Sequence, residues 1–201
     1  MPTQAKNDDI LDLARTVPVA NIGDAMDRLN VVDAAIGPLW AGAHLAGRAF
    51  TVMTAGGDNK AIHDALEHAG PGDVLVVNGQ GATHRALIGE LIAGRAAAQG
   101  VLGFVIDGAA RDVRDLEEMQ FPVFARAVTP AGPYRNGPGY HQRPVAIGGV
   151  VVSPGDLIVA DDDGVAVVPQ ETEAGIIARA VAKHAQELAQ RNAIPSAPGS
   201  N

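Results

Sequence analysis

The sequence predicts an α/β fold built on a largely parallel sheet. Two observations carry this. Short aliphatic runs such as Val74–Val77 and Gly103–Ile106 are continuous, not alternating, as strands buried on both faces require. Helix-like stretches separate them at intervals of about 25 residues, the spacing of βαβ units. A third observation concerns the core. Only 3% of residues are aromatic although 47% are hydrophobic, so Ala, Val, Leu and Ile must fill the interior.

The elements follow in order. Ile10–Thr16 and Gly23–Leu29 read as short helices, with Asp24 as a cap near the second. Arg48–Thr54 reads as a strand, and Gly56-Gly57-Asp58 then leads into a helix over Lys60–His68. After the strand Val74–Val77, Gly79-Gln80-Gly81 suggests a turn into a helix with Leu87, Ile88, Leu91 and Ile92 on one face and Gly100 as its stop. The strand Gly103–Ile106 leads by a turn into a helix over Asp112–Met119, and Val123–Ala127 is the next strand. Thr129–Pro144, rich in Gly and Pro, reads as a long loop. Short strands are expected at Val145–Ile147, Val150–Val152, Leu157–Ala160 and Val165–Val168, then a helix over Thr172–Gln190 and a disordered tail. Pro71-Gly72 and Pro154-Gly155 each suit a type II turn feeding a buried strand.

Composition excludes several chemistries. The chain has 201 residues, no cysteine and a formal charge of −8. Its length fits one domain with an ample core. Without Cys there is no disulfide, thiolate nucleophile or Cys-ligated zinc. An acidic balance argues against a nucleic-acid partner, which needs a basic face. The first seven residues hold no apolar run, so the expectation is no signal peptide, no membrane span and a cytoplasmic location. The six histidines form neither H-x-H nor H-E-x-x-H, and no nucleophile elbow surrounds Ser153. Asp161-Asp162-Asp163-Gly164 has consecutive acids where a calcium loop needs alternate ones, so it reads as a hairpin turn.

Two segments could carry chemistry. Gly79-Gln80-Gly81 lacks the third glycine of a dinucleotide fingerprint, since position 84 is His84. It could still offer backbone amides to an anion, or be a plain βα turn. Ile106-Asp107-Gly108-Ala109-Ala110-Arg111-Asp112 is sharper, because ligands bind beyond the carboxyl ends of strands in open α/β sheets. Arg111 could grip a carboxylate or enolate oxygen with two hydrogen bonds, and Asp112 could hold a hard cation. Equally, Asp112 could cap the following helix while Arg111 pairs with Asp115 or Glu118.

Taken together and in order, Gly57-Asp58-Asn59, Pro71–Val77, Gly89-Glu90-Leu91, Ile106–Asp112, Gly148-Gly149-Val150 and Ala160–Val165 resemble the RraA-like superfamily. Within it they are most similar to class II pyruvate aldolases that cleave 4-hydroxy-4-methyl-2-oxoglutarate and 4-carboxy-4-hydroxy-2-oxoadipate. The likeness runs from about Val19 to Pro169. It implies a single-domain α-β-β-α sandwich of the swivelling β/β/α type over residues 19–191, with an N-terminal extension over 1–18 and a tail over 192–201. A homotrimer, or a hexamer of two trimers, is implied as well, with sites between subunits.

The resemblance also implies roles. Asp112 would bind a divalent metal, Mg²⁺ or Mn²⁺, and Arg111 would contact the ketone or enolate oxygen of a 2-oxo acid. Amides around Gly89, Glu90, Leu91 and Ile92 would hold the substrate carboxylate, which moves the helix start to near Gly89. Glu90 would bond to water on the metal. An acid from a neighbouring subunit's C-terminal helix is expected as well: Glu187, or failing that Glu171. The same site should decarboxylate oxaloacetate, and Lys6, Lys60 and Lys183 offer no Schiff-base lysine at a core strand end. The superfamily's namesake, a trimer that restrains an endoribonuclease, implies the alternative of a non-catalytic regulator. The acid after the arginine, Asp112, favours catalysis. In the loop-rich stretch Arg135, His141 and Arg143 could meet a distal carboxylate, but a surface or subunit-contact role is the simpler expectation.

Overall fold

A computed structural model describes residues 3–194, with side-chain surroundings given from Asp9 onward. The helices are α1 (Thr3–Arg15), α2 (Val19–Ala25), α3 (Lys60–Ala65), α4 (Glu90–Ala98), α5 (Val113–Glu118) and α6 (Glu173–Ala193). The strands are β1 (Gly37–Pro38), β2 (Leu45–Thr54), β3 (Asp73–Ile88), β4 (Gly103–Ala110), β5 (Val123–Val128), β6 (Gly139–His141), β7 (Val145–Ile147), β8 (Val150–Val152), β9 (Leu157–Asp161) and β10 (Gly164–Val168).

The chain is mixed α/β, as expected, but its main sheet is only partly parallel. It runs β1-β5-β4-β3-β2-β9-β10, with β6 on β2. Only the β2, β3, β4 and β5 pairings are parallel, and each of these steps crosses through a helix, α3, α4 or α5. The second half of the chain adds antiparallel strands, because its short connections cannot cross over the sheet. The hairpin β7–β8 forms a separate small sheet.

Period-two alternation sorts the core into layers. Leu75 and Val77 face Ile62, Ala93 and Leu116 on α3, α4 and α5, and Leu66 just after α3. Their neighbours Val74 and Val76 face the opposite way, toward Val145, Ile147, Ile158 and Val167. The outer face of β9 and β10, with Leu157, Val159 and Val168, packs against Ala14, Ile22 and Ile177 from α1, α2 and α6. The order is therefore helix, strand, strand, helix, made from one continuous sheet that doubles over itself. Strand β2 is the fold line: Leu45–Arg48 pair with β9, and Arg48–Met53 pair with β3. At Gly47 a Cβ would lie 2.7 Å from Gly72 O and 2.8 Å from Leu102 Cδ1. Only glycine fits where the layers close. Each fully buried Leu or Ile in these interfaces contributes about 2 kcal/mol.

Several elements differ from expectation, each for a physical reason. Helix α2 starts at Val19, after Pro18, so Asp24 lies near its C-terminal end and bonds Lys183 on α6 rather than capping. Gly79-Gln80-Gly81 starts no helix; Gln80 and Gly81 take left-handed φ of 60° and 66°, and β3 continues beyond them with shifted register to Ile88. Leu87 and Ile88 are thus strand residues, and any anion site at a helix start there is removed. The expected loop after β5 contains β6 and a bridge from Tyr134 to Asp58. All four phenylalanines, Phe50, Phe104, Phe121 and Phe124, join the aliphatic core. Gly72 and Gly155 do take φ of 88° in their Pro-Gly turns. Helix α6 runs through Ala193, and the rest of the expected tail lies outside the described residues. The β9–β10 turn is Asp162-Asp163, whose neighbour Asp161 accepts from Val19 N.

One ion pair ties the layers together. Arg48, on the fold-line strand, forks onto Glu173 at the start of α6, with Nη2 donating to Oε1 at 3.0 Å. Both side chains are largely buried, at 13% and 9% exposure. Removing Glu173 takes the carboxylate counter-charge from a largely buried guanidinium. Glu173→Ala should lower unfolding stability by about 3 kcal/mol in a urea titration.

Candidate active site

The ends of β3 and β4 meet where the sheet's parallel strands present their carboxyl ends. Arg111 N donates to Ile88 O at 3.1 Å, so the residues following the two strands are held side by side. Those residues are Gly89-Glu90 and Arg111-Asp112. Asp112 takes a left-handed conformation, φ 59° and ψ 42°, which is costly for a residue with a Cβ. Although it precedes α5, its side chain makes no cap bond there. It turns back instead, and Oδ2 accepts the N–H of Glu90 at 3.1 Å. The helix-cap alternative is therefore not what forms. Nor does Arg111 reach Asp115 or Glu118: among the described residues its ion pair is with Asp112, Nε to Oδ2 at 3.4 Å.

Gly89 makes this approach possible. A Cβ at that position would collide with Asp112 Oδ2 and stand 2.9 Å from Arg111 Cγ. Helix α4 then begins at Glu90, as the moved helix start anticipated. Its first-turn amides have no partner four residues back. Glu90 N is used by Asp112 and Ile92 N returns to Gly89 O at 3.2 Å, and among the described residues the Leu91 amide meets no acceptor.

Beside these groups lies a cavity of about 200 Å³. Gly89, Leu91, Ile92 and Arg111 line it, together with Asn59, the strand end Ala86–Ile88, Pro133 and Arg135. Arg135 is exposed, as a surface role requires, and it also borders the cavity. His141 and Arg143 do not: His141 stacks with Phe50 and His68, and Arg143 lies over Tyr140. Sequence reasoning misses Asn59 as a site residue although it stands in the Gly57-Asp58-Asn59 motif, because nothing local shows that α3 starts at the cavity wall. Glu187 lies elsewhere in the chain, accepting from Asn21 Nδ2 at 2.7 Å. Glu171 borders a separate hollow with Arg179.

Asp58 holds the cavity's far wall in place. Oδ1 accepts from Lys60 N at 2.8 Å, and Oδ2 from Asn136 N and Gly137 N at 2.8 and 2.7 Å. Arg85 Nη1 adds a bond to Gly132 O at 2.8 Å. Burial pushes the Asp58 carboxyl up, but the three amides and the Lys60 charge outweigh it, so its pKa lies below the ordinary carboxylate value. His63, one turn along α3, is held below the usual imidazole range by burial and by the charges of Arg135 and Arg95.

A hard cation fits the donors present in one limited way. Asp112 offers a carboxylate at 36% exposure, and among the described residues no three His, Asp or Glu side chains converge as a cage. A cation here would rest on Asp112, water and ligand oxygens, the habit of Mg²⁺ rather than of a structural zinc.

Two outcomes follow from this geometry. Gly89→Ala should force the Asp112 carboxylate off the Glu90 amide, seen as faster hydrogen exchange at that amide. The second concerns acid. A carboxyl with a depressed folded-state pKa stabilises fully above its unfolded value and loses that contribution as pH falls through the folded one. Stability measured by urea should therefore decline below about pH 4, and Asp58→Asn should flatten that decline.

Comparison with known proteins places this arrangement. The RraA-like family, Aldolase/RraA, matches residues 19–167. A protein of Halalkalibacterium halodurans named "Putative 4-hydroxy-4-methyl-2-oxoglutarate aldolase" is 40% identical over 186 residues, covering 92% of this chain and 89% of its own. Among solved structures, Streptomyces coelicolor RraAS2, described as an unusual member of the RNase ES inhibitor RraA family, superposes with a TM-score of 0.84. It is 28% identical, over 92% of this chain and 98% of that one. The RNA-processing inhibitor RraA of Thermus thermophilus superposes at 0.69 with 32% identity, over 76% of this chain and 92% of that one. With a strand-end Arg-Asp pair, a doubled-over sheet and a family match across most of its length, the chain belongs to the RraA-like family.

Proposed function

We propose that this protein is a divalent-metal-dependent aldolase that cleaves 4-hydroxy-2-oxo diacids, such as 4-hydroxy-4-methyl-2-oxoglutarate, to pyruvate and a second oxo acid. The observation that carries the reading is the Arg111–Asp112 pair: Arg111 lines the cavity, and Asp112, paired to it just outside the lining, turns from α5 to the first amide of α4. The relative named as an aldolase supports the same class. Lys60 and Lys183 are engaged with Asp64 and Asp24 and do not line the cavity, which favours a route without a Schiff base.

In this reaction the C3–C4 bond breaks and its electrons pass to the pyruvyl half as an enolate. The C4 hydroxyl loses a proton, C3 of the enolate later gains one, and the other half leaves as a carbonyl compound. Arg111 supplies a fixed cation where the oxo oxygen becomes negative, so it acts more on turnover than on substrate binding. The open amide at the start of α4 suits the substrate carboxylate, with the helix dipole reinforcing it. Asp112 would hold Mg²⁺ or Mn²⁺, which when bound supplies Lewis-acid stabilisation of the developing charge. Decarboxylation of oxaloacetate reaches the same enolate and should proceed at the same site.

Assembly belongs to the proposal. A homotrimer, or a hexamer of two trimers, would cover Leu91, which is 75% exposed at the cavity mouth. It would also allow an acid such as Glu187 to approach from a neighbour. The second reading, a regulator of an endoribonuclease, draws on the likeness to RraA structures.

Pyruvate formation from oxaloacetate, with Mg²⁺ or Mn²⁺ and again with EDTA, separates the two. The aldolase reading expects activity that EDTA removes. It also expects Asp112→Ala to lower turnover by at least about 100-fold while changing unfolding stability by under about 1 kcal/mol. A chain that forms no pyruvate from either acid with added metal, yet binds a ribonuclease in a pull-down, overturns it.

A further inference from the structure

Asn59 carries an oxygen that the fold leaves without a hydrogen-bond partner. It stands immediately before α3, where an Asn oxygen ordinarily accepts an N–H of the first turn, yet no such bond forms. Its Nδ2 donates to Leu87 O at 3.0 Å. That bond settles which end of the amide is which, because two carbonyl oxygens cannot hydrogen-bond each other. Oδ1 is buried with no hydrogen-bond partner, in a residue only 2% exposed. The backbone is also fixed, with Asn59 N donating to Tyr134 O at 3.0 Å and Asn59 O accepting from Ile62 N at 3.1 Å. A buried acceptor left unmade is costly and rare, so a donor belongs there.

The cavity says what kind of donor. Its charged lining groups, Arg111 and Arg135, are permanent cations that only donate. They call for oxyanions. An ionised carboxylate has no proton to give and cannot serve Asn59 Oδ1. Asn59 lines the same cavity as the two arginines, so a single ligand that satisfies all three joins a carboxylate to a hydrogen-bond donor, and a hydroxyl is such a donor.

We infer that Asn59 Oδ1 accepts a hydrogen bond from the substrate's C4 hydroxyl and thereby selects 4-hydroxy-2-oxo acids over oxo acids that lack it. This rests on the aldolase reading of the same site. Asn59 is a specificity-determining residue and takes no proton, since an amide is not basic; it orients the O–H that must ionise as C3–C4 breaks. Oxaloacetate has no such hydroxyl and makes no use of Asn59. A site built around a hydroxyl rejects the analogue without one more strongly than an apolar site does.

The test is the ratio of kcat/KM for cleavage of 4-hydroxy-4-methyl-2-oxoglutarate to that for oxaloacetate decarboxylation, on the full chain with Mg²⁺. Asn59→Ala should lower this ratio on the order of 10- to 100-fold. If that variant does not fold, the wild-type protein decides. The analogue 4-methyl-2-oxoglutarate, lacking only the hydroxyl, should inhibit oxaloacetate decarboxylation roughly 10-fold more weakly than the hydroxylated acid. Equal losses on both substrates, or equal inhibition by the two acids, would give Asn59 a structural or water-binding role and overturn the inference alone. A wild-type chain active on neither substrate overturns the aldolase reading and the inference with it.

Discussion

The missing side chain at Gly89 sets how closely the ends of β3 and β4 can approach, and the rest of the site depends on that distance. A single Cβ there would occupy the space of the Asp112 carboxylate. Because the space is open, Asp112 can adopt its left-handed backbone and bind the first amide of α4. The strain of that backbone is offset by a charge-assisted bond to a helix N-terminus, where a carboxylate is also favoured by the dipole. Arg111 is placed by the same contact, since its amide is held by Ile88 O. Strand pairing, helix start and charge placement are thus one construction.

The doubled-over sheet explains how so small an aromatic content suffices. Two strand layers and two helix layers give three separate cores, each thin enough for Ala, Val, Leu and Ile to fill. The arrangement requires close approach at the fold line, which Gly47 permits, and a cross-layer tie, which Arg48 and Glu173 provide. It also frees the carboxyl ends of β3 and β4 from structural duty, as ligand sites in parallel sheets require. The cavity's far wall is held from the opposite direction. There the buried Asp58 carboxylate grips its own helix start and two amides that lie 78 and 79 positions further along the chain.

Much of the secondary structure is legible from residues alone. The buried runs around Val76 and Val105, the β7–β8 hairpin, the two Pro-Gly turns and the final helix stand where composition and periodicity put them. The misreadings share a cause. Leu87 and Ile88 continue a helical spacing with Leu91 and Ile92, but their burial comes from the sheet, and the left-handed pair Gln80-Gly81 bends a strand without ending it. Asp24 looks like a helix cap because caps and ion-pair partners use the same residue types. Tertiary contact overrode local preference in each case.

By itself the sequence determined the buried strands and the small-residue core; Arg111, and through the family resemblance Gly89, Glu90, Leu91 and Ile92, were nominated as site residues, and all of these but Glu90 line one cavity. The sequence left Asp112 balanced between a helix cap and a site residue, because local rules allow an Asp before a helix to be either. The tertiary structure decided that choice, through the space that Gly89 leaves open. It also decided that Asn59 and Arg135, in the connections after β2 and after β5, share a wall with Arg111. The physical reason is the pairing of parallel strands. Local sequence specifies which residues form each strand, whereas the order and register of the strands bring their carboxyl ends, and the connections that leave them, to one place.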